Sequence, residues 1–227
     1  MNTLSLETLL QELPVFSRLT PSEHKFLESV AVSKSYPSGN NIAFQGDIWP
    51  HAFILQKGEV VVQKLSTEGR SLGSLRLSSR QMFWSPSLFD GNPLPATLET
   101  SSDCLVFLWN QEHIMPVIQK NHLAMWDLCV MLTQRMRHAS GMVEDLAFQP
   151  VASRLARLLV KQFDESPKRA FERSLSLDDM AAMIGTTPVM VCKLLSRFAE
   201  QGIIKVSRSE FEFIDHKKLG QVAGLLD

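Results

Sequence analysis

The segment from Leu175 to Gly202 constrains the fold more than any other part of the chain, because it predicts two short helices joined by a tight turn. Ser176 is a favourable N-cap for the first helix, and the two aspartates that follow suit its dipole. Gly185 ends this helix and allows the left-handed turn that a helix-turn-helix requires. Thr187-Pro188 then provides a cap and a proline in the first turn of the second helix.

A β-hairpin is predicted directly after the second helix. Residues 203–206 and 211–214 alternate apolar and polar side chains on either side of a polar turn at residues 207–210. The second helix buries one face, formed by Val191, Leu194, Leu195 and Phe198. Two helices with such a turn also occur in ordinary helical hairpins, but the added hairpin indicates a winged helix-turn-helix.

The N-terminal half predicts a small antiparallel β-domain that follows two helices. Leucines at helical spacing open the chain, and Thr20-Pro21 begins a second helix. From Tyr36 to about Asn110, short apolar runs are separated by Gly, Pro, Asn and Asp, which favours a roll or small barrel over a parallel sheet. The clearest strands are Phe53–Leu55, Val60–Val62, Leu72–Leu77 and Cys104–Trp109.

Between the two halves, residues 112–146 have a helical period with an apolar seam of alternating four- and three-residue steps. The seam consists of Met125, Cys129, Leu132, Met136, Ala139, Val143 and Leu146. It predicts either a helix that pairs with a second copy of the chain or one buried along its own domain, and we favour the dimer. Pro150 ends this helix, and Phe148–Pro150 is the candidate hinge. The predicted domains are residues 1–111, 112–148 and 149–227.

With these parts in this order, the chain resembles the CRP/FNR superfamily of bacterial transcription regulators over nearly its whole length. The resemblance rests on Tyr36–Asp47, Phe53–Val62, the long helix ending in Leu146-Ala147-Phe148, and Leu175–Val206. It implies an α+β fold: an N-terminal antiparallel β-roll like a cyclic-nucleotide-binding domain, a long dimerisation helix and a C-terminal winged helix-turn-helix. The implied partners are a double-stranded DNA operator, a second copy of the chain and RNA polymerase.

Composition agrees with a globular regulator and excludes several other classes. The net charge of −1 divides into −3 for residues 1–148 (11 Lys and Arg, 14 Asp and Glu) and +2 for residues 149–227 (12 and 10), the sign expected of a DNA-binding C-terminal half. Cys104, Cys129 and Cys192 lie too far apart in sequence for a zinc or disulfide motif. We expect a cytoplasmic protein without membrane partner, resident metal or enzymatic activity, because no transmembrane, signal-peptide or catalytic pattern occurs.

The second helix of the helix-turn-helix should lie in the major groove of DNA. Family members commonly carry Glu, then Ser or Gly followed by Arg, where this chain has Val189, Cys192 and Lys193. Lys193 retains a donor for guanine, whereas Val189 and Met190 can contact a thymine methyl group. The expected base contacts are Val189, Met190, Cys192 and Lys193. The expected phosphate contacts are Thr186, Thr187, Arg197, Lys205 and Arg208, the last of which is equally consistent with a solvated turn charge.

The effector pocket that the resemblance implies departs from the cyclic-AMP-binding pattern. Aligned on Leu88-Phe89, the chain has Trp84-Ser85 in place of Gly-Glu and residues 95–97 (Pro-Ala-Thr) in place of Arg-Ser-Ala. A buried phosphate without its arginine would cost several kcal/mol, so the sequence argues against cyclic AMP binding in the usual way. The candidate pocket residues are Met82, Phe83, Trp84, Ser85, Phe89, Ala139 and Ser140.

Haem is the alternative effector, since some relatives bind it and sense gases. The candidate axial ligands are His24, His51, His113, His122, His138 and Cys104, although no spacing distinguishes any pair. His122 also extends the apolar seam, where it fits a register-setting or pH-sensitive position, or a ligand. A second hypothesis for function is therefore a haem- or small-molecule-binding sensor of a gas or redox signal whose output is a protein contact instead of specific DNA binding.

Overall fold

The computed structural model describes residues 4–66, 71–164, 170–172, 175–207 and 210–225. The chain folds into two compact units. One contains the residues up to Leu65 together with Ser74–His138, and the other contains Ser66–Gly73 together with Ala139–Asp227. The predicted boundaries at residues 111 and 148 remain predictions.

The first unit opens with α1 (Leu6–Glu12), a short 3₁₀ helix (Val15–Arg18) and α2 (Pro21–Val30). Ser5 caps α1, since its hydroxyl accepts from the Thr8 amide at 3.2 Å. The predicted start of α2 is confirmed: Thr20 and Glu23 form a reciprocal capping box, and Pro21 occupies the first helical position.

An antiparallel β-roll follows and confirms the predicted fold class. One sheet has the order β1-β8-β3-β6 and the other β2-β7-β4-β5. A short helix, α3 (Ser87–Asp90), lies between β6 and β7. The strands are β1 (Val32–Tyr36), β2 (Asn41–Ala43), β3 (His51–Lys57), β4 (Glu59–Leu65), β5 (Ser71–Ser78), β6 (Gln81–Trp84), β7 (Thr97–Thr100) and β8 (Cys104–Asn110).

Side chains from the two sheets fill the interior of the roll, and Phe53 stacks on Phe83 with ring centroids 5.5 Å apart. The outer face of the first sheet packs against the helices through a separate core that includes Phe16, Trp84 and Trp109. The Trp109 indole donates to the Leu27 carbonyl at 2.8 Å, so the buried N–H group of Trp109 has a partner.

The helical region predicted between residues 112 and 146 consists of two helices, α4 (Gln111–Lys120) and α5 (His122–Phe148). The break follows from Asn121, whose side chain accepts from the Ala124 amide at 3.1 Å and so caps α5. Helix α5 has 27 residues and ends two residues before Pro150, as the sequence predicts.

The second unit contains α6 (Val151–Asp164), β9 (Ala170–Glu172), α7 (Leu177–Ile184), α8 (Pro188–Glu200), β10 (Ile204–Val206), β11 (Glu210–Phe213) and α9 (His216–Val222). The winged helix-turn-helix is thus confirmed. The stretch from Asp164 to Arg173 is polar and contains a proline, which predicts a loop, and this prediction is wrong at β9. Strand β9 pairs antiparallel with β11, giving a sheet in the order β10-β11-β9. Its three residues form a strand because β11 supplies the hydrogen-bonding partners.

Candidate nucleic-acid interface

The turn between α7 and α8 has the geometry predicted from its glycine and caps. The Ser176 hydroxyl accepts from the Asp179 amide at 3.0 Å, and the Asp179 carboxylate accepts from the Ser176 amide in return. Gly185 lies at φ +63°, in the left-handed region. A Cβ at this glycine would lie 2.5 Å from a terminal methyl group of Leu146, which would have to shift, and the positive φ strains any residue other than glycine.

Helix α8 starts at the predicted cap, and its two faces are sharply different. The Thr187 hydroxyl accepts from the Met190 amide at 3.3 Å. The inward face is buried and consists of Val191, Leu194, Leu195 and Phe198, as predicted. The outward face exposes Val189, Met190, Cys192 and Lys193, the four expected base contacts. Val189 is 79% exposed, so it takes no part in the core.

Sequence reasoning missed Ser196 on this outward face. It is exposed and lies three residues after Lys193 and seven after Val189, so all three occupy one side of the helix. The helical spacing itself carries the signal, because positions i, i+4 and i+7 share a face. The outward face therefore presents small and apolar groups around a single lysine.

The expected phosphate contacts occupy different settings. Thr186 is half-buried, and Thr187 keeps its hydroxyl proton free to donate, since as cap the oxygen only accepts. Arg197 is exposed on α8. Lys205 forms an exposed ion pair with Glu212 at 3.7 Å, which a phosphate would have to replace. Arg208 lies outside the described residues.

The structure places the predicted effector-pocket residues in several environments. Met82 and Trp84 point from β6 into the core shared with the helices, whereas Phe83 points into the roll. Ser85 is fully buried and accepts from the Ser87 amide at 3.2 Å, while Phe89 is 42% exposed. Ala139 and Ser140 are exposed residues of α5 in the other unit.

The arginines nearest to this region in sequence are engaged elsewhere. Arg76 forms an ion pair with Glu59 at 2.9 Å, and Arg80 forms one with Glu12. The family's arginine and serine are replaced by Pro95, which is exposed, and Ala96, which is buried. Neither side chain can donate a hydrogen bond to a phosphate.

Arg135, which sequence analysis does not single out, contacts β6, the strand that carries Met82, Phe83 and Trp84. Arg135 of α5 is half-buried, and its guanidinium donates to the Met82 carbonyl at 3.0 Å. Burial lowers the pKa of this arginine from its usual value. No local pattern marks it, since the contact joins residues 53 positions apart.

The candidate haem ligands have different surroundings. His24 donates from Nε2 to the Phe16 carbonyl at 2.8 Å, and His122 and His138 are exposed on α5. Burial raises the pKa of the Cys104 thiol, which donates to the Glu59 carbonyl at 3.2 Å.

The remaining two histidines lie in aromatic contacts. His51 stacks on Trp49 with ring centroids 4.9 Å apart, and burial, followed by the charge of Lys34, lowers its pKa. His113 meets Phe26 edge-on at 6.5 Å. Among the described residues, no group of three His, Cys, Asp or Glu side chains lies close enough to hold a metal ion.

Helix α5 carries an exposed apolar stripe along the predicted seam. Met136 and Val143 are each 67% exposed, whereas Met125 and Leu132 are half-buried against the helical core. Trp126, next to the seam, is also 67% exposed. Large apolar side chains in such a row typically mark a surface that another protein covers.

Comparison with known proteins gives two family models and full-length relatives. A cyclic nucleotide-binding domain matches residues 33–121, and a Crp-like helix-turn-helix domain matches residues 153–222. The cyclic AMP receptor protein of Thermus thermophilus is 24% identical over 210 residues, which cover 92% of this chain and 96% of the relative. A CRP-like cAMP-activated global transcriptional regulator of Mycobacterium tuberculosis is 21% identical over 223 residues, covering 96% and 100%.

Solved structures share the same fold. The c-di-GMP responsive global regulator CLP of Xanthomonas campestris superposes with a TM-score of 0.76 at 17% identity, covering 86% of this chain and 99% of that one. In the described part of the chain, no helix combines the length and the apolar character needed to cross a membrane.

Proposed function

The chain belongs to the CRP/FNR superfamily of bacterial transcription regulators, and from this we propose that it works as a homodimer that binds a specific DNA operator through α8. It is a CRP/FNR-type regulator with a helix-turn-helix DNA-binding domain. The dimer, the residues that contact DNA and the behaviour of the effector pocket are the proposed parts.

The division of α8 into a buried and an exposed face carries the proposal. Four large apolar residues anchor the helix, so Val189 and its neighbours are available for a partner without any rearrangement of the core. A capped helix N-terminus with an exposed threonine favours contact with a phosphate. Lys193 would donate to guanine, and Val189 would contact a thymine methyl group.

Dimerisation is supported by the exposed stripe on α5. A helix-turn-helix dimer reads two half-sites about one helical turn, about 34 Å, apart, which requires a symmetric contact between the copies. The seam on α5 provides a self-complementary row with a coiled-coil spacing. Because α5 continues to Phe148, just before the DNA-binding domain, pairing along it would fix both copies of α8 in one assembly.

For the effector pocket, we propose that cyclic AMP does not bind in the usual way. The position of the family's arginine is occupied by Pro95, and both Arg76 and Arg80 are held in ion pairs. The names of relatives connect this fold with different signals, cyclic AMP in one case and c-di-GMP in another. Arg135 beside Met82 is the cation best placed to meet a different anionic effector.

The test is selection of binding sites from random DNA with the purified full-length protein, followed by titration of the selected site at several salt concentrations. We expect an inverted repeat with half-site centres about 10 base pairs apart. Affinity should fall as salt rises, because phosphate contacts release counterions. Weak retention of all sequences, without enrichment, would contradict the proposal and favour a sensor that acts through protein contacts.

A further inference from the structure

A single arginine in the second unit joins the end of α5 to the turn of the helix-turn-helix. Arg154 lies in the first turns of α6 and is half-buried. Its Nε donates to the Ile184 carbonyl at 2.9 Å, and Nη2 is 3.5 Å from the Gly185 carbonyl. These two carbonyls lie at the C-terminus of α7, directly before the turn into α8.

The same guanidinium also contacts the C-terminus of α5. Nη1 donates to the Gln149 carbonyl at 2.9 Å and lies 3.3 Å from the carbonyls of Asp145 and Leu146. The last carbonyls of a helix have no partner within the helix and carry the negative end of its dipole. Arg154 therefore satisfies two helix ends at once with charge-assisted hydrogen bonds.

The position of Arg154 within α6 cannot be explained by α6 itself. A positive charge near the N-terminus of α6 is unfavourable for the dipole of α6 itself. The contacts of its guanidinium with the C-terminal carbonyls of both α5 and α7 explain this position. A guanidinium spreads five N–H groups over three nitrogens and can therefore donate to carbonyls on two sides at once, whereas a lysine has three N–H groups on a single nitrogen.

Two further contacts strengthen the same joint. The Leu146 side chain packs so closely on Gly185 that a Cβ there would lie 2.5 Å away. Arg157, one turn after Arg154, pairs with the Asp145 carboxylate at 2.6 Å and donates to the Ala223 carbonyl at 2.7 Å. The segment predicted as a hinge, Phe148–Pro150, is therefore bridged on both sides.

We infer that Arg154 is a positioning residue for DNA recognition, which holds the start of α8 in a fixed direction relative to the last turns of α5. This rests on the proposed function, because the direction of α8 matters only if two copies must meet one operator. Gly185 is the last residue of the α7 cap, and α8 begins three residues later at Pro188. Holding the carbonyls of Ile184 and Gly185 in place therefore also holds the N-terminus of α8 in place.

The experiment compares operators whose half-sites are moved apart or together by one base pair. Each step shifts a half-site by about 3.4 Å and rotates it about the DNA axis. If the connection between α5 and α8 is rigid, the dimer should bind such an operator more weakly. The variants are Arg154→Met, which keeps an unbranched stem, and Arg154→Lys, which keeps the charge. Lys161→Met is the matched control, since it removes an exposed cation from the same helix.

We expect Arg154→Met to lose roughly tenfold in affinity for the selected operator and to lose most of the discrimination against altered spacing. Arg154→Lys should restore little, because one ammonium cannot reach both helix ends. Dimer mass, affinity for random DNA and the salt dependence should stay as in the wild type, since the phosphate contacts are intact. Lys161→Met should behave as wild type in every measurement.

Unchanged spacing discrimination in a folded Arg154 variant would overturn the inference and leave the proposed function standing. Failure of both variants to fold would also overturn it, because Arg154 would then be needed for folding and not specifically for the direction of α8. If the wild type selects no operator, the proposed function and the inference fall together.

Discussion

Replacing Met136 by glutamate should separate the two copies of the protein without disturbing either fold. The side chain lies in the middle of the α5 seam and is 67% exposed. Leu132, one step earlier in the seam, is a poorer choice because it packs partly against the core of the first unit. A charge at Leu132 would unfold the domain and break the dimer together, so its effect could not be assigned.

The expected magnitude follows from the exposed fraction. Complete burial of a methionine side chain stabilises by about 1.5–3 kcal/mol, so covering two-thirds of Met136 contributes about 1–2 kcal/mol per copy. Two copies give about 2–4 kcal/mol, and two facing glutamates add repulsion. Since each 1.4 kcal/mol is a factor of ten, the dimer dissociation constant should rise roughly 30- to 1,000-fold.

Analytical ultracentrifugation over a range of protein concentrations measures this change, with thermal unfolding of the same samples as the test of fold. Gln134→Glu is the matched control, because it adds the same charge at an exposed position on another face of α5. It should sediment as the wild type does. A Met136→Glu protein with unchanged sedimentation would refute the assignment of the seam to a dimer.

Three other outcomes are expected. Lys193→Ala should weaken operator binding by about 1–3 kcal/mol and relax preference at one base pair in gel-shift assays with single-base variants; an equal loss on all sequences would contradict a base-reading role. Cyclic AMP should leave operator affinity unchanged in a titration, and a saturable increase would overturn the argument from Pro95. Gly185→Ala should destabilise the DNA-binding domain by at least about 1–2 kcal/mol in denaturant unfolding, because its φ is +63° and the new Cβ would meet Leu146; a neutral result would show that the turn relaxes.

The parts of the fold that sequence predicts well are those whose causes are local. Thr20, Ser176 and Thr187 each cap the helix that follows, and Gly185 takes the left-handed conformation that ends α7. Each of these features depends on hydrogen bonds within three or four residues. The buried face of α8 follows likewise from helical spacing alone.

The features that sequence reasoning missed depend on contacts between distant residues. Strand β9 is short, and only its pairing with β11 makes it a strand. Sequence analysis places Met82, Phe83 and Trp84 in one pocket, yet alternate residues of a strand point to opposite faces. The sequence shows this alternation only if residues 81–84 are identified as a strand. The contacts of Arg154 with the ends of α5 and α7 do not follow from any local pattern, because those to α7 span 30 and 31 residues.

The chemistry of the exposed face of α8 has a consequence for how the proposed regulator would discriminate among DNA sequences. Val189 and Met190 offer only apolar contact, and Lys193 supplies the hydrogen-bonding charge among the four expected base contacts. A methyl contact distinguishes thymine but forms no bidentate hydrogen bond of the kind that contributes about 1–3 kcal/mol of discrimination. The remaining selectivity must then come from the spacing and deformability of the half-sites. If Arg154 holds α8 rigidly relative to α5, operators with the wrong half-site spacing bind more weakly. Spacing then contributes the selectivity that the few hydrogen-bonding groups on α8 do not.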